Sequence, residues 1–381
     1  MTEGTTLSAT TLEEMSDMRV ITDRPARALG LGLTLALLLG FGPAGCDEDT
    51  TLGVGESPPV EVAVVLNSVD LSLTIFPVDS PAVSRTIGLG PAGSPVTLAV
   101  RGGLAAVPMG LVPALAVADL QSGDVRTVAL PDSSGGTGVA FVNDSIVYVA
   151  NPNRNSVSVV NVRRGALGPE IPVGVYPQFI IADRGRVFVL DGELVNFAPA
   201  RNGRVTVIDP ATRTVTDSLT LGGRNPQKGK IGPDGLLYVI DSGDFGMGNG
   251  SLSVVNPFQG VEVRNDDGFG EFPGDLAFDA GGLVYVTSFS YGVAVWDPGR
   301  LRFVHPPDDP LVIGGFPSAS GAGADSDGRL YVLVPGPDPE DPTTSCAVPS
   351  VALRSAPDGS FDRQIPVGIC PIAIDFTTIR R

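Results

Sequence analysis

The sequence predicts an all-β chain: a seven-bladed β-propeller of four-stranded antiparallel blades whose first blade is closed by the C-terminal strand. Three observations carry that prediction. A short apolar run launched from a Gly or Asp turn recurs along the chain, most clearly as Gly235-Leu236-Leu237-Tyr238-Val239-Ile240-Asp241. Its β-branched and aromatic composition is that of a buried strand. The aromatic residues of the copies stand at 148, 188, 238, 285 and 331, separated by 40, 50, 47 and 46 residues, and a strand-only repeat of this length is the period of propeller blades. The two ends of the array are complementary. Residues 60–90 hold three strand-like runs and lack an inner one, whereas Cys370-Pro371-Ile372-Ala373-Ile374-Asp375-Phe376 is an inner-strand pattern without a blade. Joining them shuts the ring and removes the edges that an open array would expose.

Taken in order, residues 1–17 precede Met18-Arg19, a conventional start, and read as an extension ahead of it. Residues 18–45 read as an export signal. Arg24 and Arg27 form its positive end, 28–41 its apolar stretch and Pro43-Ala44-Gly45-Cys46 a small-residue cleavage site. An uncleaved membrane anchor is the alternative, although roughly 17 apolar or small residues are short for spanning. Residues 46–59, with Asp47-Glu48-Asp49, lack apolar periodicity and read as a flexible tether. The propeller is expected over 60–376 and a tail over 377–381. Within it, 62–66, 71–75 and 83–87 supply the first blade, and 95–100, 104–107, 114–118 and 125–130 the second, in which Ala106 replaces the aromatic. The unit is clearest at 138–142, 146–150, 157–162 and 170–173, and it repeats at 179–182, 187–190, 204–208 and 214–221. It returns at 228–231, 236–240, 251–255 and 260–264, and two further blades have third strands at 292–296 and 350–353.

Gly and Pro together exceed a fifth of the chain, yet 43% of it is hydrophobic and they punctuate regular apolar runs, so the composition is that of a turn-rich fold and not of disorder. From Cys46 onward, with five acidic and three basic residues removed, 37 acidic face 22 basic residues, a net charge near −15. Nucleic acid is excluded as a partner, and anionic lipid head groups would repel this surface, so any membrane contact runs through a lipid anchor. Beyond Cys46 the cysteines are Cys346 and Cys370. Outside the cytosol a bridge between them would pin the end of the chain to the preceding blade; the alternative is two free thiols. With one His and no Cys pair at metal spacing, a zinc-type site is not expected.

The recurring Gly-x-x-Pro lead-in followed by Leu-Tyr-Val-x-Asn/Asp resembles the YVTN class of seven-bladed propellers, related to the NHL-type and gluconolactonase-like propellers. It stands as Gly174-Val175-Tyr176-Pro177, Gly223-Arg224-Asn225-Pro226, Gly270-Glu271-Phe272-Pro273, Gly314-Gly315-Phe316-Pro317 and Gly368-Ile369-Cys370-Pro371. The stretch ending in Ala44-Gly45-Cys46 likewise resembles a bacterial lipoprotein signal, which implies lipidation of Cys46 and a place in the bacterial cell envelope, on its periplasmic or extracellular side. Gluconolactonase-like relatives hold a metal with carboxylates and Asn in the central funnel; the resemblance implies Asn151, Asn225, Asp241 and Asp275 as counterparts.

Loops after strands two and four of a blade leave the same face, since strand direction alternates. The long connections fall there: 191–202, 242–250 and 335–349 after second strands, 264–272 and 305–311 before the next blade. They carry Asp191, Glu193, Asp241, Asp244, Asp266, Asp267, Asp308, Asp309, Asp338, Glu340 and Asp341. Oxygen donors in a Gly-rich loop make Asp241, Asp244 and Asn249 a candidate Ca²⁺ site, against the plain reading of a solvated acidic loop; no other cofactor is expected. Tyr176, Phe245, Phe269, Phe272, Phe289, Tyr291 and Phe316 also fall near these loops. Of these, Phe272 and Phe316 are expected to pack between blades, and Tyr291, Phe245, Phe289 and Tyr176 to be available to a ligand. His305 reads as a surface residue, and no Gly-x-Ser-x-Gly elbow is present. The expected function is that of an exported, lipid-anchored, monomeric and non-catalytic binding or scaffold module for a protein, peptide or glycan. The alternative is a divalent-metal-dependent lactonase or lyase.

Overall fold

The structure is a computed structural model and describes residues 58–313, 316–337, 340, 346–355 and 360–380. Residues 1–57, on which the readings of an export signal, of Cys46 as its cleavage site and of most of the tether fall, lie outside the described residues, as do Gly314, Asp338 and Asp341.

Seven sheets of four main strands form the ring. Blade I orders Pro371–Ile379, Val60–Asn67, Ser72–Pro77 and Arg85–Gly88 from the inside outward. Blades II and III begin with Ala99–Arg101 and Val139–Phe141; blades IV, V and VI begin with Pro177–Asp183, Pro226–Ile231 and Pro273–Phe278; blade VII begins with Gly321–Ala324. Ring closure follows the expected logic. Val60–Asn67 pairs antiparallel with Pro371–Ile379 from Val60↔Ile379 to Asn67↔Pro371, so the first and last strands share one blade. The Cys346–Cys370 disulfide ties that final strand to the loop after the second strand of blade VII. It closes a loop of 24 residues, a length at which cross-linking the unfolded chain stabilises by about 3 kcal/mol.

The recurring motif is the second strand of each blade, and its burial explains its composition. Ile146–Asn151, Arg186–Asp191 and Leu237–Asp241 are buried along nearly their whole length, because both faces of a middle strand meet a neighbouring blade. Tyr148 packs with Ala140, Val159, Ile180 and Val189 between blades III and IV; Tyr238 packs with Leu276, Val286 and Trp296 between V and VI. Outer strands such as Thr214–Thr220 are exposed and polar.

The Gly-x-x-Pro lead-in is a structural lock. The residues before Pro177, Pro226, Pro273 and Pro371 all sit in the left-handed region, Tyr176, Asn225, Phe272 and Cys370 at φ 57, 57, 50 and 58°. The first Gly then passes directly over the polar end of the second strand. A Cβ on Gly174 would lie 2.4 Å from Asp191 Oδ2, and one on Gly223 would lie 2.1 Å from Asp241 Oδ2. In blade I the Gly368 N–H donates to Asn67 Oδ1 at 3.0 Å. The same side chain reaches the third strand: Asn67 donates to Ser72 and Thr74, Asn151 to Ser156 and Ser158, while Asp191 accepts from Thr206, and Asp241 from Ser251 and Ser253. The Asn/Asp of the repeat thus joins lead-in, second strand and third strand.

Candidate functional site

On the loop face, blades IV to VI depart from the plain repeat. After Asp191 the chain forms a small hairpin, Leu194–Val195 paired with Ala198–Pro199. Both tip residues are left-handed, Asn196 at φ 52° and Phe197 at φ 62°. This is the signature of a type I′ turn, in which Gly normally takes the second place. Glu193, buried at the hairpin base, accepts from Arg201 at 2.7 Å and pairs with Arg204 at 3.2 Å. Backbone bonds from Gly192 and Glu193 to Tyr176 and Val175 fasten the hairpin to the blade IV lead-in.

The loop after Asp241 is fixed to its neighbours. Arg224 donates to Asp244 Oδ1 at 2.9 Å and to the Pro199 carbonyl at 2.7 Å, which joins the two long loops. Asn249 donates to Asp244 Oδ2 and accepts from the Asp244 N–H, and it bridges to Gly270 in the blade VI lead-in. Upon this braced base stand five solvent-facing apolar side chains: Phe197 is 70% exposed, Met247 71%, Phe245 48%, Phe289 44% and Phe272 39%. Phe245 lies against Phe272 with ring centroids 6.3 Å apart, and Tyr176 meets Phe197 edge-on at 6.1 Å. Around them Asp267, Glu271, Asp308 and Asp309 are exposed.

The expected site residues divide accordingly. Phe245 and Phe289 are exposed on this face, and Tyr176 is half-buried beside Phe197. Tyr291 is half-buried, and its hydroxyl is enclosed without a partner among the described residues; burial raises the phenol's pKa, and its polar end is unavailable from outside. Phe269 is fully buried against Trp296 and Phe303 and belongs to the core. Phe272, expected between blades, is instead exposed beside Phe245; Phe316 does pack into the core of blades VI and VII. The missed residues are Phe197 and Met247. Phe197 carried a signal in the sequence, an Asn-Phe pair flanked by short apolar runs, but only backbone geometry reveals that an aromatic sits where Gly is preferred.

The Ca²⁺ candidates do not converge. Asp241 is fully buried beneath the loop with Ser251 and Ser253 at 3.2 and 2.7 Å, whereas Asp244 and Asn249 bond to each other and Asp244 to Arg224. Burial pushes the Asp241 carboxyl up to about 8 and that of Asp191 to about 7. The four residues implied as funnel ligands are likewise dispersed. Asn151 and Asn225 are buried in side-chain networks, Asp241 is enclosed within blade V, and Asp275 alone lines the central channel. Among the described residues no group of three or more His, Cys, Asp or Glu is placed to hold a metal ion.

No protein family matches the chain, and no curated protein does. Among solved structures, hydrazine synthase from Kuenenia stuttgartiensis is similar, with 17% sequence identity and a TM-score of 0.57 over 77% of this chain and 97% of that one. At that identity the likeness is one of fold alone.

Proposed function

We propose that the chain is a non-catalytic binding module whose loop face over blades IV to VI holds an apolar and basic segment of another protein. The observation that carries this reading is Phe197. Its left-handed backbone costs an L-residue about 1–2 kcal/mol, and a ring 70% exposed recovers little of that by burial within the chain. Strained residues that the fold does not need are a pointer to function. Phe245, Phe272, Phe289 and Met247 extend the apolar surface, the Arg224 tie gives it a fixed shape, and the exposed carboxylates around it favour a cationic partner. In keeping with the signal-like 18–45 and the lipobox-like Ala44-Gly45-Cys46, the module is exported and held in the cell envelope by a lipid on Cys46, and the repeat supports a kinship with YVTN-type propellers.

The lactonase or lyase reading lacks comparable support, because its implied ligands point to separate places. The test is photo-crosslinking in the native envelope, with a benzophenone amino acid at 197 or 245 and, as control, at Val83 on an outer connection of blade I. The expected result is one protein adduct from 197 and 245 and none from 83. Adducts to glycan alone, or equal adducts from all three positions, contradict the reading. For the anchor, a Cys46→Ser chain that stays fully membrane-bound contradicts lipidation.

A further inference from the structure

The chain contains two lysines, Lys228 and Lys230, beside 23 arginines. Both stand on the inner strand of blade V, and their spacing of two directs them to the same side of it. Both line a cavity of about 350 Å³ at the centre of the ring, to which all seven blades contribute. The repeat register makes Lys230 an exception. It pairs with Tyr238, the motif aromatic of blade V, and the residues paired with the same aromatic elsewhere are Ala140, Ile181, Ala277 and Gly323. A position that packing fills with small or apolar residues here carries an ammonium.

The surrounding charges are already partly answered. Lys228 Nζ is 4.0 Å from Asp275 Oδ2 and 5.1 Å from the Phe179 ring centre. Asp375 accepts from the Val100 and Phe376 N–H groups at 3.0 and 2.9 Å. Lys230 has no hydrogen bond or ion pair within 4.0 Å among the described residues, although Asp375 feels its field. The rest of the wall includes Arg101, which pairs with Asp144 at 2.7 Å, and the apolar side chains of Leu98, Val139, Phe179, Ile181 and Ile374. A cavity of this size that sets charged groups beside apolar side chains can take a small molecule, and a half-buried ammonium with no ion-pair partner within 4.0 Å among the described residues favours an anion beside it.

We propose that the central channel binds a small organic monoanion, a carboxylate with an apolar body, with the carboxylate on Lys230 and the body against Phe179, Ile181 and Ile374. Asp275 and Asp375 disfavour a dianion such as phosphate. The small lysine count makes a direct test possible. Reductive ¹³C-dimethylation of the full chain keeps both lysines charged and labels Lys228, Lys230 and the α-amine. Benzoate is titrated as the probe at constant ionic strength, with chloride as control, and the Lys230 signal is identified by its absence from Lys230→Arg. The Lys230 signal is expected to move along a saturating curve with benzoate and not with chloride. In calorimetry on unmodified protein, Lys230→Gln should weaken benzoate binding about tenfold or more, while Lys230→Arg retains it. A Lys230 signal that does not saturate or that follows chloride equally, or benzoate binding unchanged in Lys230→Gln, overturns the proposal. Should Lys230→Gln fail to fold, the saturation curve and the Arg variant still decide.

Discussion

Blades III and IV solve the same problem differently at the same point of the repeat. In blade III, Asn151 ends the second strand and the chain returns through a single 3₁₀ turn, Pro152–Arg154, whose left-handed residue is Asn155 at φ 50°. Asn tolerates that conformation better than other residues with a Cβ. In blade IV, Asp191 ends the second strand, a hairpin follows, and the second of its two left-handed tip residues is an exposed Phe197. One turn uses a residue suited to its backbone; the other keeps an aromatic against backbone preference. Beneath both turns the lock is alike, Asn151 or Asp191 reaching to the third strand. The sheets are therefore built for closure, and under the proposed function the loops of blades IV to VI serve a partner outside the chain.

The largest expected effect breaks the part that the blades share. Gly223→Ala puts a methyl group 2.1 Å from the Asp241 carboxylate and should destabilise the fold by about 3 kcal/mol or more, read as a lower denaturant midpoint. Next comes the difference between them. Phe197→Ala and Phe245→Ala should each weaken partner binding by about 2 kcal/mol, roughly thirtyfold, while Val83→Ala, on an outer connection of blade I, leaves binding unchanged in the same assay. The choice of acid over amide in the lock gives a third test. Because burial raises Asp241 to about 8 and Asp191 to about 7 in the folded chain, the stability they allow is present below about pH 4 and is lost as pH rises through 7 to 8. Asp241→Asn, matching Asn67 and Asn151, should remove a slope of up to about 1.4 kcal/mol per pH unit, measured by urea unfolding between pH 5 and 9. An unchanged slope would mean that Asp241 is ionised where it lies.

Much of the ring was legible from sequence because its determinants are local. Strand two announces itself by composition, and the missing inner strand at residue 60 matches the surplus one at 371. The bridge between Cys346 and Cys370 follows from that closure. The site was less legible because its determinants are relations across strands. Asp241 beside a Gly-rich loop reads as a ligand until Ser251 and Ser253, ten and twelve residues on, are seen to bond it. Phe269 and Phe272 lie three residues apart on one lead-in, yet the first is core and the second exposed, since the left-handed step at Phe272 comes between strand and loop. The unusual placement of Lys230 is a property of register, visible only once it is paired with Tyr238.

The most direct test of the central claim is Phe197→Gly, read for stability and partner binding together. Gly suits the second place of a type I′ turn, so the fold should gain about 0.5–1 kcal/mol in urea unfolding, while binding to the partner trapped at positions 197 and 245 falls by at least tenfold. A variant that loses stability, or that binds as well as the parent chain, would contradict the account of the hairpin tip as a binding residue held against the preference of its own backbone.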